Sequence, residues 1–136
     1  MHPRVLAIVG PTASGKTSLA LSVAEKCDAE IVSADSRQIY EYLDIGTAKP
    51  TVAERATVKH HFVDILKPSS EFSAGRFGVD ARKVIAEILK KKKLPVLVGG
   101  SGLYVKAVID GLFDGPGKDP EIRTRIEEQL QTEGLD

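Results

Sequence analysis

The chain has 136 residues, which is enough for one domain with a modest core and too few for two. Hydrophobic residues make up 42% and charged residues 28%, and these proportions exclude an intrinsically disordered chain. Lys and Arg together number 19, as do Asp and Glu, so a globally basic surface is excluded and any nucleic-acid contact needs a local patch.

Short apolar runs alternate with longer helical patterns, which is typical of a parallel sheet buried between helices. The apolar runs predict strands near residues 5–9, 30–34, 61–66 and 94–98. The helical patterns predict helices at residues 18–27, from Val52, at 73–92, at 103–109 and from Pro120. The fold class is therefore α/β with a mostly parallel sheet.

Residues 111–117 are rich in glycine and predict a linker that divides the chain. We expect an α/β core at residues 1–115, and a linker with one further helix at residues 116–136. Asp119 is a suitable N-cap for that helix, and Gly134 should end it. Its apolar residues at 122, 126 and 130 form a single stripe that nothing later in the sequence could cover. We therefore expect the chain to be a fragment of a longer protein.

A phosphate-binding motif directly follows the first predicted strand. It matches the pattern G-x-x-x-x-G-K-[ST] with Gly10, Pro11, Thr12, Ala13, Ser14, Gly15, Lys16 and Thr17. Glycine allows backbone N–H groups to surround a phosphate, and the following helix adds positive charge at its N-terminus. The Lys16 ammonium can reach the outer phosphate oxygens, and the Thr17 hydroxyl can ligate Mg²⁺. The fold class narrows to a phosphate-loop NTPase-like core.

This motif predicts polyphosphate binding without naming the molecule. NTPases of this kind usually carry a second acidic residue at the end of a strand. The fourth predicted strand ends in Gly99 and Gly100, and Asp64 lies inside the third. Only Asp35 follows a strand at the ligand-binding edge of the sheet. This one carboxylate therefore has to help hold the metal ion, act as the general base, or do both.

Four polar residues follow the second predicted strand, namely Asp35, Ser36, Arg37 and Gln38. A solvated turn would explain such a group in an arbitrary position. Here the group belongs to the same sheet edge as the phosphate loop, which favours a role in binding. Ser36 and Gln38 could form hydrogen bonds with a base edge or a ribose, and Arg37 could contact a phosphate.

Four segments together resemble the tRNA dimethylallyltransferases, in the order of that family and over almost the whole chain: residues 10–17, 33–40, 44–50 and 97–104. The resemblance implies transfer of a dimethylallyl group from dimethylallyl diphosphate to N6 of the adenosine 3′ of the anticodon in tRNA. It also implies that the phosphate loop holds the diphosphate of this donor, with help from Mg²⁺.

The chemistry of these residues, together with the resemblance at Ser101 and Arg123, gives expected roles for individual residues. Asp35 and Ser101 are the expected catalytic residues, with Asp35 as the general base, and Thr17 is the expected metal ligand. Contacts with tRNA are expected from Asp35, Ser36, Arg37, Gln38, Ser101 and Arg123. Ser101 stands where the family usually has threonine, and we expect this change to be tolerated because the hydroxyl is kept. The family is much longer, with a helical insertion that grips the anticodon arm.

Other functions stay open at this point. An ATP-dependent kinase of nucleotides or small molecules, an enzyme that prenylates free adenine nucleotides, and a non-catalytic nucleotide-binding module all fit the phosphate loop. The helix starting near Asp119 favours tRNA, because a free nucleotide needs no such clamp. The apolar runs are too short to span a membrane. We expect a cytoplasmic protein without membrane contact, and a monomer.

Several conspicuous residues are predicted to be structural. The lysines at 90–93 suit the C-terminus of a helix, where cations interact favourably with the helix dipole. His60 and His61 are adjacent in a predicted strand, so they point to opposite faces and cannot bind one metal together. Cys27, Tyr104 and Val105 are predicted to pack in the interior. Arg123 and Glu127 have the spacing of a surface pair on a helix.

Overall fold

A parallel four-stranded sheet forms the centre of the protein. The computed structural model describes residues 4–113, 115 and 117–134. The strands are β1 (Leu6–Val9), β2 (Ala29–Ser33), β3 (His60–His61) and β4 (Leu94–Gly99). They lie in the order β1, β4, β2, β3, and all neighbours are parallel. The predicted α/β class with a mostly parallel sheet is confirmed.

The helices follow the predicted capping signals closely. They are α1 (Lys16–Cys27), α2 (Val52–Thr57), α3 (Ala74–Lys90), α4 (Gly102–Ile109) and α5 (Pro120–Glu133). The Thr51 side chain accepts a hydrogen bond from the backbone N–H of Glu54, and the Glu54 carboxylate accepts one from the backbone N–H of Thr51. Asp119 caps α5, and Gly134 ends it. These ends are set by residues within one turn of the boundary, which explains why the sequence predicts them.

The two faces of the sheet carry separate parts of the core. On one face, Val32 and Leu97 pack with α3 and α4, where the ring of Phe77 stacks on that of Tyr104 at 4.6 Å between centroids. On the other face, Ile31 and Val96 pack with the alanines of α1. Adjacent residues of β2 belong to different faces because side chains alternate along a strand. The predicted burial of Tyr104 is confirmed.

The predicted third strand at 61–66 is wrong for most of its length. Only His60 and His61 pair with β2. Beyond them Phe62 and Asp64 have positive φ values of 62° and 53°, which a strand cannot contain. The backbone N–H groups of Asp64 and Ile65 donate to the carbonyls of Gln38 and Ile39 instead, at 3.0 and 2.9 Å. Asp64 therefore lies in a turn and not inside a strand.

Two smaller predictions also need correction. Cys27 is exposed at the end of α1, because that helix buries only the narrow stripe of Ala20 and Ala24. The lysines at the end of α3 do more than match its dipole. Lys91 Nζ lies 3.2 Å from Glu30 Oε1, and Lys93 Nζ lies 3.1 Å from Asp28 Oδ1. These pairs tie the end of α3 to the start of β2.

Helix α5 lies exposed on the surface. Its apolar stripe has the predicted spacing, yet Ile122, Ile126 and Leu130 are each more than 40% exposed. The predicted division of the chain between residues 115 and 116 stays a prediction, because Asp114 and Pro116 in the linker lie outside the described residues. Within the part of the chain that the structure describes, no helix is long and apolar enough to cross a membrane.

Glu30 is a buried acid in β2, with 3% of its surface exposed. Its carboxylate lies 2.7 Å from His61 Nε2 and 3.2 Å from Lys91 Nζ. Burial alone would raise the pKa of Glu30, but these two hydrogen bonds outweigh it and lower the pKa below the ordinary value. The predicted structural role of His61 is therefore supported by a contact within the fold.

We expect Glu30→Gln to reduce the free energy of unfolding at pH 7 by about 2 kcal/mol, because it removes charge-assisted hydrogen bonds. A lowered pKa stabilises the fold above the unfolded-state value of 4.5, and this stabilisation is lost as the pH falls through the folded-state value. The difference between the two proteins should therefore shrink in acid. Urea unfolding at pH 7 and pH 3 measures it, with exposed Glu25→Gln as control. A constant difference would contradict the assignment.

Candidate functional site

The phosphate loop connects β1 to α1, and side chains near its end form hydrogen bonds with a carbonyl near its start. Gly15 is the N-cap of α1 and has φ of 84°, a left-handed conformation that glycine adopts without strain. The Ser14 hydroxyl donates a hydrogen bond to the carbonyl of Pro11 at 2.8 Å. The Lys16 ammonium donates to the same carbonyl and lies 3.4 Å from Ser14 Oγ. Lys16 is thus held beside the N-terminus of α1, where a phosphate would bind.

Asp35 begins the polar group after β2 and organises it. Its Oδ1 accepts hydrogen bonds from the backbone N–H groups of Arg37 at 2.8 Å and Gln38 at 3.2 Å. This is an Asx turn, in which the side chain takes the place of a backbone carbonyl. Among the described residues no hydrogen bond reaches Oδ2. One carboxylate oxygen is therefore structural, and the other is available to a ligand.

Ser101 joins the loop after β4 to the polar group after β2. Its Oγ accepts a hydrogen bond from the backbone N–H of Ser36 at 3.0 Å, and its own N–H donates to the carbonyl of Ala34 at 3.3 Å. The two loops approach so closely that a Cβ on Gly99 would overlap the Ala34 carbonyl. Glycine is therefore required there for Ser101 to reach its position.

These loops surround a pocket of about 240 Å³. Phosphate-loop residues 12–17 form one side, and Asp35 and Gln38 form another. The end of β4, at Gly99 and Gly100, completes this side of the pocket. The structure thus brings the phosphate loop and Asp35 into one site. Ser101 and Ser36 are not lining residues of this pocket. They directly follow the lining residues Gly100 and Asp35, and we call this position the rim. The Arg37 side chain is exposed.

The Gln38 amide forms hydrogen bonds within the protein, and its predicted contact with a base stays a prediction. Its Oε1 accepts a hydrogen bond from the Ser33 hydroxyl at 2.9 Å, and its Nε2 donates to the carbonyls of Thr47 and Ala48, both at 3.0 Å. Both ends of the amide are therefore engaged within the protein. In this arrangement Gln38 fixes the loop at 41–50 against β2.

Lys49 anchors the same loop from the other side. Its side chain is 4% exposed, and its Nζ donates to the Tyr40 carbonyl at 2.9 Å, to Asp44 Oδ1 at 2.7 Å and to Asp64 Oδ1 at 2.5 Å. Arg55 Nη1 lies 2.6 Å from the other oxygen of Asp64. Burial alone would lower the pKa of Lys49, but the bonds to Asp44 and Asp64 outweigh it and raise the pKa.

Arg123 is the one predicted site residue on α5. Its Nε lies 2.9 Å from Glu127 Oε1, so the predicted surface pair is confirmed. The residue is exposed and is not part of the pocket wall. Any contact of Arg123 with a ligand in this pocket would therefore need a ligand large enough to extend beyond it.

Comparison with known proteins places this architecture in a family. Residues 38–136, more than two thirds of the chain, match the model of a family described as IPP transferase. The chain belongs to the IPP transferase family. The resemblance of four sequence segments to the tRNA dimethylallyltransferases therefore predicted the family correctly.

Individual curated relatives of the chain support this family assignment. The chain is 47% identical over its whole length to tRNA dimethylallyltransferase 1 of Trichlorobacter lovleyi, and covers 45% of that protein. It is 50% identical to tRNA dimethylallyltransferase of Bifidobacterium longum subsp. infantis, with 98% of the chain and 42% of the relative covered. The chain thus spans less than half the length of the curated relatives it matches.

Solved structures of the family confirm the fold. The full-length tRNA isopentenylpyrophosphate transferase of Bacillus halodurans aligns with a TM-score of 0.80 at 42% identity, over 98% of this chain and 44% of that one. A eukaryotic dimethylallyltransferase acting on tRNA aligns with a TM-score of 0.74 at 27% identity, over 98% of this chain and 33% of that one. The predicted phosphate-loop NTPase-like fold is confirmed.

Sequence reasoning missed the other wall of the pocket. Ile31, Ala48, Pro50 and His60 all line it. No motif marks Ile31 or His60, and Ala48 and Pro50 stand out only as members of the resembling segment at 44–50, with no role predicted for them. Their separation along the chain explains this, because they meet only when the loop at 41–50 folds back over β2. Lys49 was noticed only as part of a resembling segment. An isolated lysine between alanine and proline, in a loop with two aspartates nearby, carries no specific local signal.

Proposed function

We propose that this chain forms the donor-binding core of a tRNA dimethylallyltransferase. The reaction moves a dimethylallyl group from dimethylallyl diphosphate to N6 of the adenosine 3′ of the anticodon. The observation that carries the proposal is one pocket lined by both the phosphate loop and Asp35, whose Oδ2 accepts no hydrogen bond from the described residues. Membership of the IPP transferase family and the names of the relatives support the same reaction.

The phosphate loop is the proposed site of the diphosphate. During transfer the N6 lone pair attacks C1 of the donor, the C1–O bond breaks, and diphosphate leaves with the bonding electrons. Lys16 and the N-terminus of α1 stabilise the negative charge that develops on the leaving group. N6 becomes acidic as its bond to carbon forms, and Asp35 accepts its proton.

Mg²⁺ fits the proposed donor site as a phosphate-bound ion. This cation prefers oxygen ligands and usually keeps several waters while binding one or two protein oxygens and substrate phosphates. The Thr17 hydroxyl and the second oxygen of Asp35 are suitable oxygens on the pocket wall. When bound, the ion would neutralise charge on the departing diphosphate. Among the described residues no group of three or more His, Cys, Asp or Glu side chains could form a metal cage.

The acceptor side of the proposal uses the rim of the pocket. Ser36 and Ser101 are held together there, and the exposed Arg37 side chain is free to approach a phosphate of the nucleic acid. Arg123 would contact a more distant part of the tRNA. We also propose that the protein acts as a monomer in the cytoplasm.

Calorimetric titration of the 136-residue chain with dimethylallyl diphosphate and with ATP, each with Mg²⁺, tests the donor assignment. We expect the prenyl diphosphate to bind more tightly. Transfer itself is measured in a hybrid protein, in which this chain replaces the matching segment of the Bacillus halodurans enzyme, with an anticodon stem-loop RNA as acceptor. Tight binding of ATP with none of the prenyl donor would favour a kinase and refute the proposal.

Lys16→Ala should weaken binding of dimethylallyl diphosphate by about 10- to 100-fold, because it removes a charge-assisted hydrogen bond to the diphosphate. Lys26→Ala is the matched control, since Lys26 lies in the last turn of the same helix, away from the pocket. The same calorimetric titration measures both variants. If Lys16→Ala bound the donor as tightly as the control, the phosphate loop could not be the donor site.

A further inference from the structure

Asp64 does not line the pocket, yet its backbone contacts the segment that holds Asp35. The N–H of Asp64 donates a hydrogen bond to the carbonyl of Gln38 at 3.0 Å, and the N–H of Ile65 donates to the carbonyl of Ile39 at 2.9 Å. The N–H of the same Gln38 donates to Asp35 Oδ1 at 3.2 Å. The backbone of one residue, Gln38, thus connects Asp64 to the carboxylate that we propose as general base.

The side chain of Asp64 is held by two cations from different parts of the chain. Lys49 Nζ lies 2.5 Å from its Oδ1, and Arg55 Nη1 lies 2.6 Å from its Oδ2. Burial alone would raise the pKa of Asp64, but the hydrogen bonds from Lys49 and Arg55 outweigh it and lower the pKa. Asp64 is therefore charged at neutral pH, and both of its carboxylate oxygens are bound.

The backbone of Asp64 has an uncommon conformation. Its φ of 53° lies in the left-handed region, where aspartate and asparagine are tolerated better than most other residues with a side chain. This conformation directs the N–H of Asp64 to the Gln38 carbonyl while the carboxylate reaches Lys49 and Arg55. The ion pairs therefore stabilise the same conformation that makes the backbone contact.

Asp44 contacts the same lysine without a link to Asp35. Lys49 Nζ lies 2.7 Å from Asp44 Oδ1, and the Asp44 side chain is largely exposed. Among the described residues, no hydrogen bond joins Asp44 to the polar group at 35–38. Asp44 and Asp64 thus share a cation but differ in their connection to Asp35.

We propose that Asp64 is a positioning residue for Asp35, and that its ion pairs with Lys49 and Arg55 keep the Asx turn in the geometry that proton transfer requires. The inference rests on the proposed function and adds to it a residue outside the pocket. The ion pairs fix Asp64, Asp64 fixes the Gln38 carbonyl, and the Gln38 N–H fixes Oδ1. The direction of Oδ2 follows, because the carboxylate is planar. A misplacement of about 1 Å can lower the rate of a reaction by about 100-fold.

Asp64→Asn tests the inference, because asparagine keeps the size of the side chain and tolerates the positive φ while the charge is lost. Asp44→Asn is the matched control, since it makes the same chemical change in the other carboxylate partner of Lys49. Ile88→Val controls for a general loss of stability, because Ile88 lies in the core near the start of β4. Urea unfolding shows whether each variant folds.

Amide hydrogen exchange, followed by NMR in the 136-residue chain, reports on the Asx turn directly. In Asp64→Asn we expect the amides of Arg37 and Gln38 to exchange about tenfold faster than in the wild type, because the hydrogen bonds to Asp35 Oδ1 are weakened. In Asp44→Asn and in Ile88→Val these two amides should exchange as in the wild type.

Prenyl transfer in the hybrid protein is the second readout. We expect Asp64→Asn to lower the single-turnover rate by about 10- to 100-fold, with an affinity for dimethylallyl diphosphate close to that of the wild type. A purely structural role would reduce the amount of folded protein and not the rate of each folded molecule. Asp44→Asn and Ile88→Val should transfer at the wild-type rate.

Two results would overturn the inference and leave the proposed function intact. One is unchanged exchange of the Arg37 and Gln38 amides in Asp64→Asn, and the other is a transfer rate in this variant equal to that of Asp44→Asn. A wild-type hybrid that transfers no prenyl group would instead refute the proposed function, and the inference with it. Should Asp64→Asn not fold, Arg55→Gln removes one of the two cations of Asp64 and is judged by the same two measurements.

Discussion

Replacing Asp35 by Asn should lower the single-turnover rate of prenyl transfer by about 10²- to 10⁴-fold, which is the usual contribution of a general base. The exocyclic amine of adenine is a poor nucleophile because its lone pair is delocalised into the ring. Proton removal by a carboxylate during attack compensates for this. Asn can accept a hydrogen bond from the amine but cannot take its proton.

The structure indicates that Asp35→Asn removes the carboxylate without disturbing the local backbone. Oδ1 of an asparagine at this position can still accept the backbone hydrogen bonds from Arg37 and Gln38, so the Asx turn is preserved. Only the oxygen that is not used in the Asx turn changes, from an acceptor to an amide donor. Folding and donor affinity should therefore stay close to those of the wild type, and the loss should appear in the chemical step.

A role in supporting Mg²⁺ predicts a different result for the same variant. In that case donor binding weakens, and a higher Mg²⁺ concentration restores it in part. Rapid-quench measurements in the hybrid protein with saturating donor separate the two roles. The control is Asp80→Asn, since Asp80 is partly exposed on α3 and does not line the pocket. Chemistry at the wild-type rate in Asp35→Asn would reject the base assignment.

Lys49→Met should reduce the free energy of unfolding by about 2–4 kcal/mol. Removing one member of a buried ionic cluster leaves its partners without a counter-charge, which typically costs about 3–5 kcal/mol. The expected value is somewhat smaller because Arg55 still contacts Asp64, and Asp44 is 69% exposed on its side chain. Guanidinium unfolding measures this loss, with exposed Lys67→Met as the control.

Two further substitutions, each at a carboxylate partner of Lys49, separate ionic from packing effects. Asp44→Asn should cost less than about 1 kcal/mol, since ion pairs with an exposed partner contribute little. Asp64→Asn should cost more, because Asp64 contacts both Lys49 and Arg55, whose hydrogen bonds outweigh burial and lower the pKa of Asp64. Equal losses in the free energy of unfolding for Asp44→Asn and Asp64→Asn would show that the contacts of Asp64 with Lys49 and Arg55 do not support the loop at 41–50.

Local signals explain which parts of the fold could be predicted. Thr51, Asp119 and Gly134 act on backbone groups within one turn, so the ends of α2 and α5 follow from the sequence alone. The phosphate loop is equally local, because one short motif contains its glycines, its lysine and its hydroxyl. Asp35 was found for a related reason, since it directly follows a buried strand at the ligand-binding edge of the sheet.

The failures arise where distant segments decide the outcome. Residues 61–66 have the composition of a strand, but β2 offers partners only up to His61 because the chain then turns at Asp35. The contact of Gln38 with a base stays a prediction, but the sequence did not indicate that its amide binds Ser33, Thr47 and Ala48. Neither result could be predicted without knowing how the loop at 41–50 folds back.

Strand β1, which carries the phosphate loop, lies at the edge of the described sheet and pairs there with β4 alone. Its residues Leu6 and Val9 are 37% and 57% exposed. Opening of such a strand in the 136-residue chain exposes little additional apolar surface. We therefore expect its amide hydrogens to exchange with solvent through local fluctuations more readily than those of β2. A ligand that bridges the phosphate loop and the β2 side of the pocket would suppress these fluctuations. We expect binding at the loop and ordering of this sheet edge to be thermodynamically coupled in the 136-residue chain.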